Sequence, residues 1–313
     1  MQKESKEKVG LLLGAIGVIC FSLTLPATRV AVEYFGATIV GLGRTVAASI
    51  LVGIILFIRK EALPSRQHFK SLLIIAFGTV LGFPLLTSFS MESLPVSHGA
   101  VEVALLPLST AGFSIIRGGE RPSLKFWLSS IIGSLAVIVY AIHLGLGSFQ
   151  LADFALIAAI IILGLSYAEG GKLAKELGSW QVIAWSIMIG APFFVLPVIF
   201  QFSPSMLHAP IEAWGGFLYL TIVSQFLAYV AWYKGMALGG IARVSQIQYL
   251  QPFLMIMFAG LFLGESITLF TMITALIVVF SVMIGKNAPV LKKEGSATEI
   301  LPSSKNQSDN QPL

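Results

Sequence analysis

MESLPVSHGAVEVALLPLSTAGFSIIRGGERPSL, residues 91–124, and MALGGIARVSQIQYLQPFLMIMFAGLFLGESITL, residues 236–269, lie over one another without a gap at an offset of 145 residues. Met91 falls on Met236, Pro107 on Pro252, Phe113 on Phe258, Gly119 and Glu120 on Gly264 and Glu265, and Leu124 on Leu269. Shared apolar composition produces chance identities, but coincident Pro, Gly and Glu in one register point to a duplicated unit. A weaker match lies upstream, where Phe35-Gly36 resembles Leu177-Gly178.

Around these two segments the whole chain is apolar. Of 313 residues 56% are hydrophobic and 11% charged, and the mean hydropathy is +0.87, too little polar surface to coat a water-soluble globule. Apolar stretches recur at lengths that cross a hydrocarbon core of roughly 30 Å as helices. They predict spans near residues 9–28, 38–58, 71–91, 96–116, 124–143, 152–172, 180–202, 215–235, 241–263 and 268–285. The fold class expected is all-α integral membrane, ten transmembrane helices in two five-helix repeats, 9–143 and 150–286. Residues 1–8 form a cytoplasmic N-terminus, and 287–313, rich in Ser, Asn, Gln, Lys and Glu, a disordered cytoplasmic tail. The first apolar run follows Lys3, Lys6 and Lys8 like a signal peptide, but with no small-residue cleavage site it reads as a retained helix.

The basic residues give the orientation. With the N-terminus in the cytoplasm, 18 of the 20 Lys and Arg fall on that side, and the loops assigned outside, such as 144–151 and 203–214, contain none. Arg29 and Arg44 lie within or at the edge of spans. The net charge of +5 is therefore a sign of membrane topology and not of nucleic acid binding. Localisation in the cell inner (plasma) membrane, multi-pass with both termini cytoplasmic, is expected. Five spans per half is an odd number, so the second half enters the membrane in the opposite sense. Inverted repeats serve secondary transporters, where exchanging the halves' conformations converts one access state into the other.

Trp232-Tyr233-Lys234-Gly235-Met236-Ala237-Leu238, Tyr249-Leu250-Gln251-Pro252 and Gly264-Glu265, with 91–123 as the first copy, resemble the EamA-type proteins of the drug/metabolite transporter (DMT) superfamily. Arg44 in Leu42-Gly43-Arg44-Thr45-Val46-Ala47-Ala48 is similar to an arginine common early in that family's second span. The resemblance covers roughly residues 9–286. It implies an EamA/DMT-like inverted-repeat fold with a central cavity and no nucleotide-binding domain. Its motifs identify the fold better than the substrate.

Ionisable groups at membrane depth are costly and are functional candidates by default. Glu102, two turns into the fourth span with Ile247 as its repeat partner, either lines a cavity or belongs to a buried ion pair. Arg29 and Arg44 either snorkel to the outer interface or face inward and bind a carboxylate. Tyr167, Glu169 and Lys172 stand in the inner half of the sixth span, where Glu169 and Lys172 can pair at three-residue spacing. Tyr229, Trp232 and Tyr233 read first as an interfacial belt. Gln246, Gln248 and Gln251 are three amides within six residues that need partners away from lipid, and predict an inward-facing stripe. With Thr24 and Ser88 from the first and third spans, the substrate-binding candidates are Thr24, Arg29, Arg44, Ser88, Glu102, Tyr167, Glu169, Tyr229, Trp232, Gln246 and Gln248. Pro107 and Pro252 read as mid-span kinks and hinges. Gly119 and Gly264, ending spans, and Ser123 and Thr268, starting them, read as helix caps.

No P-loop sequence is present, which disfavours ATP-driven pumping by this chain. His68, His98, His143 and His208 are scattered at or near predicted loops without zinc-ligand spacing, so no metal, cofactor or catalytic group is expected. Gly164-Leu165-Ser166 is the nearest approach to a serine-nucleophile motif and lacks its final glycine. The reading is a secondary transporter of small metabolites, and the resemblance implies amino acids or related compounds, exported or exchanged. A proton or counter-substrate is its partner for coupling, and Glu102 or Glu169 the candidate proton carrier. The small-residue spacings Gly10/Gly14 and Gly78/Gly82 permit close helix packing within one chain or in a homodimer. A membrane receptor or assembly protein, or an intramembrane enzyme, is the alternative.

Overall fold

In a computed structural model, residues 2–118, 120–122, 124–141, 150–286 and 290–292 are described. Nearly all of them are helical. Five helical stretches are long and apolar enough to cross a membrane: Ser5–Arg59, Arg66–Met91, Leu151–Leu173, Ser179–Gln201 and Ile211–Gly239. Shorter apolar helices follow at Ile247–Leu263 and Leu269–Ser281. The first stretch, 55 residues long, is interrupted by a kink. Helix α1 (Gln2–Ser22) continues into α2 (Thr24–Thr38), and Gly36 at φ 69° and ψ 164° turns the chain into π-helical turns at Ile39–Gly43 and then α3 (Arg44–Arg59). That backbone is in a region only glycine enters cheaply. Lys60 in the left-handed conformation closes α3.

The chain then runs through α4 (Arg66–Ile75), π-helical turns at Ala76–Gly82 and α5 (Phe83–Met91); then α6 (Val96–Val103) and α7 (Leu106–Gly118); then α8 (Leu124–Ala141). The remainder contains α9 (Leu151–Leu173), α10 (Ser179–Gln201), α11 (Ile211–Leu218), π-helical turns at Tyr219–Leu227 and α12 (Ala228–Gly239). It ends in α13 (Ile241–Ser245), a 3-10 turn at Gln246–Leu250, α14 (Gln251–Leu263) and α15 (Leu269–Lys286).

Element boundaries recur along the chain. Helices α4, α7 and α8 begin at residues 66, 106 and 124, and α11, α14 and α15 begin 145 residues later, at 211, 251 and 269. Gly178, at φ 98°, turns the chain into α10 as Gly36 turns it toward α3. Packing is correspondingly paired: α1 lies on α12 and α5 on α9, α3 on α10, α6 on α14, and α8 on α15. At the α1–α12 crossing a Cβ on Gly10 would meet the Gly239 Cα at 2.7 Å, and a Cβ on Gly78 would meet the Ile162 carbonyl at 2.8 Å, so both glycine spacings serve contacts within the chain. The outer surface carries Phe57, Phe193, Phe200, Leu261 and Phe262, as lipid requires.

Several expectations change. Pro107 and Pro252 do not kink continuous helices. The chain breaks at Ala104–Leu105 and Pro107 enters the first turn of α7, and Pro252 enters the first turn of α14 after the 3-10 turn, positions where a missing amide costs little. Gly264 is a left-handed C-cap and Thr268 Oγ1 accepts the Thr271 amide at 3.1 Å, as cap chemistry predicts. Gly119 and Ser123 lie outside the described residues. Of the expected tail only 290–292 is described, and it forms a short antiparallel ladder, β2 (Val290–Lys292) on β1 (Glu120–Pro122). That pairing brings the end of α15 to the α7–α8 connection.

Candidate functional site

The three π-helical segments widen the helices where polar groups turn inward, a common feature of functional helices. Arg44 follows the first, Thr79 lies in the second, and Thr221, Ser224 and Gln225 lie in the third. Around them stands an aromatic cluster. The Phe21 ring lies 4.8 Å from Tyr229 and 6.2 Å from both Tyr167 and Trp232, and Tyr167 lies 5.5 Å from Trp232. Tyr233 joins through Tyr229 at 5.6 Å, and its hydroxyl reaches Thr79 Oγ1 at 3.5 Å. Gly170 of α9 admits this ring, since any Cβ there would strike it.

Tyr229, Trp232 and Tyr233 are all buried, so they are not an interfacial belt. Their i, i+3, i+4 spacing puts them on one helix face, and that face packs inward. Arg44 is 1% exposed and lies near Tyr229, and among the described residues no carboxylate is in ion-pair contact with it; its Nε and one terminal nitrogen have no hydrogen-bond partner. Thr24 Oγ1 meets Ser224 Oγ at 2.9 Å across α2 and the third π-helical segment. Further buried polar atoms also lack partners: Thr28 Oγ1, Gln225 Nε2, Trp232 Nε1, both amide atoms of Gln248 and Gln251 Oε1. Satisfied interiors leave few such atoms.

The other sequence candidates lie elsewhere. Arg29 is spent on the chain's own structure, donating to the Met91 and Glu92 carbonyls at 2.6 and 3.1 Å and approaching Glu33 at 3.5 Å. Ser88 donates to the Pro84 carbonyl one turn back at 2.7 Å. Glu169 accepts the Ser71 hydroxyl at 2.5 Å, beside a polar pocket lined by Gln67, His68, Lys172 and Glu176. The Gln246 side chain lies outside the described residues. Ser166 donates to the Ile74 carbonyl at 3.2 Å and has no histidine among its hydrogen-bond partners.

A second polar cluster was not legible in the sequence. His98 is buried in α6 instead of standing at a loop, with Nε2 at 3.1 Å from Glu102 Oε1 and 2.7 Å from Asp153 Oδ1 of α9. All three side chains are at most 1% exposed. The trio is the one place among the described residues where donors of metal-binding type gather, their nearest atoms within 4.8 Å of one another, but Nε2 already faces both carboxylates at hydrogen-bond lengths. Nearby, Glu265 accepts the amides of Val96 and Ser97 at 2.7 and 2.9 Å. It thus caps α6, not a helix start of its own.

A chain whose described residues are nearly all helical, with an apolar perimeter and polar side chains converging between its halves, is a multi-pass membrane protein of the transporter class. This chain belongs to the EamA-like transporter family, within the DMT superfamily, whose model matches it twice, over residues 8–142 and 150–284. The uncharacterized transporter YdeK of Bacillus subtilis is 42% identical over 84% of this chain and 92% of its own length. A probable terminal-alkyne amino-acid exporter of Streptantibioticus cattleyicolor is 20% identical over 79% of this chain and 83% of its own. A protein crystal structure with 17% identity superposes at a TM-score of 0.61, covering 89% of this chain and 96% of that one, and shows a shared fold. Family and relatives point to a non-enzymatic role.

Proposed function

We propose that this protein is a ten-span secondary transporter of the plasma membrane, built of inverted repeats at 9–143 and 150–286, that exports or exchanges small carboxylates such as amino acids by alternating access. The observation that carries the reading is the buried Arg44 guanidinium, beside Tyr229 of the second half and with no carboxylate partner among the described residues. A charge at that depth is retained where something anionic compensates it, and guanidinium binds carboxylate in a two-point fashion. The aromatic cluster supplies an apolar wall for the rest of a small amphipathic substrate. Support for ten spans in two inverted halves comes from the element starts repeated at 145 residues, the glycine turns at 36 and 178, and the two family-model matches. The printed name of the Streptantibioticus relative favours amino acids and export.

The test is counterflow of a panel of labelled amino acids, organic acids and nucleosides in proteoliposomes. Saturable exchange restricted to carboxylates is expected. Arg44→Met should weaken it by about thirtyfold or more, since losing one partner of a buried charge pair costs at least about 2 kcal/mol. Exchange of uncharged nucleosides, or full activity in Arg44→Met, would refute the assignment.

A further inference from the structure

We propose that His98, Glu102 and Asp153 form an exchangeable-proton site that joins α6 of the first half to α9 of the second. One imidazole nitrogen faces both carboxylates, at 3.1 and 2.7 Å, and it carries a single hydrogen. Glu102 Oε2, His98 Nδ1 and Asp153 Oδ1 are buried without a hydrogen-bond partner, and of the two approaches only the one to Glu102 has hydrogen-bond geometry. Asp153 has a second tie, since its Oδ2 accepts the Gln150 amide at 2.7 Å at the start of α9.

The charge count decides what the site holds. Two ionised carboxylates with a neutral imidazole leave two negative charges in a site closed to water, and one proton on the imidazole still leaves one. Two protons shared among the three groups make it neutral, the state burial favours. No Lys or Arg among the described residues pairs with either acid. Among the described residues, several charged and titratable groups on or beside the elements packed around α6 are engaged otherwise. Tyr140 of α8, with its ring 5.5 Å from His98, meets Thr271 of α15 at 3.1 Å. Glu265 holds the α6 amides, Glu92 after α5 accepts the Ala37 amide, Arg29 of α2 holds the Met91 and Glu92 carbonyls with Glu33 beside it, and α14 contains no charged residue. A proton is therefore the counter-charge available to this site.

The site also has a mechanical consequence. Losing both protons leaves Glu102 and Asp153 ionised and repelling one another across the α6–α9 contact, so proton occupancy favours the closed arrangement of the two halves at that end. Use of this site to couple proton movement to transport rests on the transporter reading above; the site itself does not.

Infrared difference spectra of the full-length protein in lipid nanodiscs, titrated across neutral pH, test it. A protonated-carboxyl stretch is expected in the wild type and its loss in Glu102→Gln or Asp153→Asn, with His98→Ala moving the pH at which the band disappears. A spectrum unchanged in the double variant Glu102→Gln/Asp153→Asn overturns the site. So does one equivalent of zinc in the purified protein that is lost in His98→Ala. In proteoliposomes loaded with labelled amino acids, wild-type flux that responds to a pH gradient, with the response lost in Asp153→Asn, supports coupling. Wild-type flux indifferent to the gradient overturns coupling. Absence of amino-acid flux overturns the substrate class proposed above and leaves the infrared result to decide the site.

Discussion

Arg44 raises a conflict between stability and use. A guanidinium buried without a carboxylate bears a desolvation cost that the resting fold does not recover, and replacing a buried charge by an apolar group of similar size is often neutral or stabilising. Arg44→Met is therefore expected to melt at the same temperature as the wild type or higher while its exchange activity falls, as thermal scans beside counterflow would reveal. At this scale the sequence was informative about which residues are costly, because an arginine or glutamate inside an apolar run is visible at once. It was silent about which of them meet. Arg29 and Arg44 look alike in the sequence, yet one is tied to the end of α5 and to Glu33 of its own helix and the other is left open. The partners of Glu102 were hidden because His98 stands one helical turn away beside a predicted loop, and Asp153 is 51 positions downstream at a helix start.

Elements were legible where glycine and threonine chemistry fixes their ends, as at Gly264 and Thr268, and where apolar length bounds them, as in α9. The π-helical turns and the break before α7 left no periodic signal, because they arise from how neighbours pack. Two variants test the boundaries. Gly36→Ala forces a Cβ into a backbone region that L residues avoid, at a cost of about 1–3 kcal/mol, and should lower the melting temperature in detergent. Pro252→Ala removes a residue from a first helical turn and should shift the melting temperature little, within about 1 kcal/mol, whereas a strained mid-helix hinge would gain stability from the change.

At the scale of the whole molecule, charge placement and the offset repeat are global properties that errors in individual boundaries do not alter. Its orientation makes a plain prediction. In a Cys20→Ser background, a cysteine at exposed Ser205 should react with a membrane-impermeant maleimide added outside intact cells, and one at exposed Ser65 only after the membrane is opened. Reversed labelling would invert the topology.

The Glu265 carboxylate that holds the first amides of α6 comes from 169 residues further along the chain. At ordinary translation speeds the ribosome takes roughly 10–30 s to make that stretch. Until then α6 sits in or at the bilayer with its N-terminal amides dependent on water or lipid headgroups. Biogenesis of the first half therefore finishes only when the end of the chain arrives, and a truncated product ending before α14 would be expected to remain open to quality-control proteases.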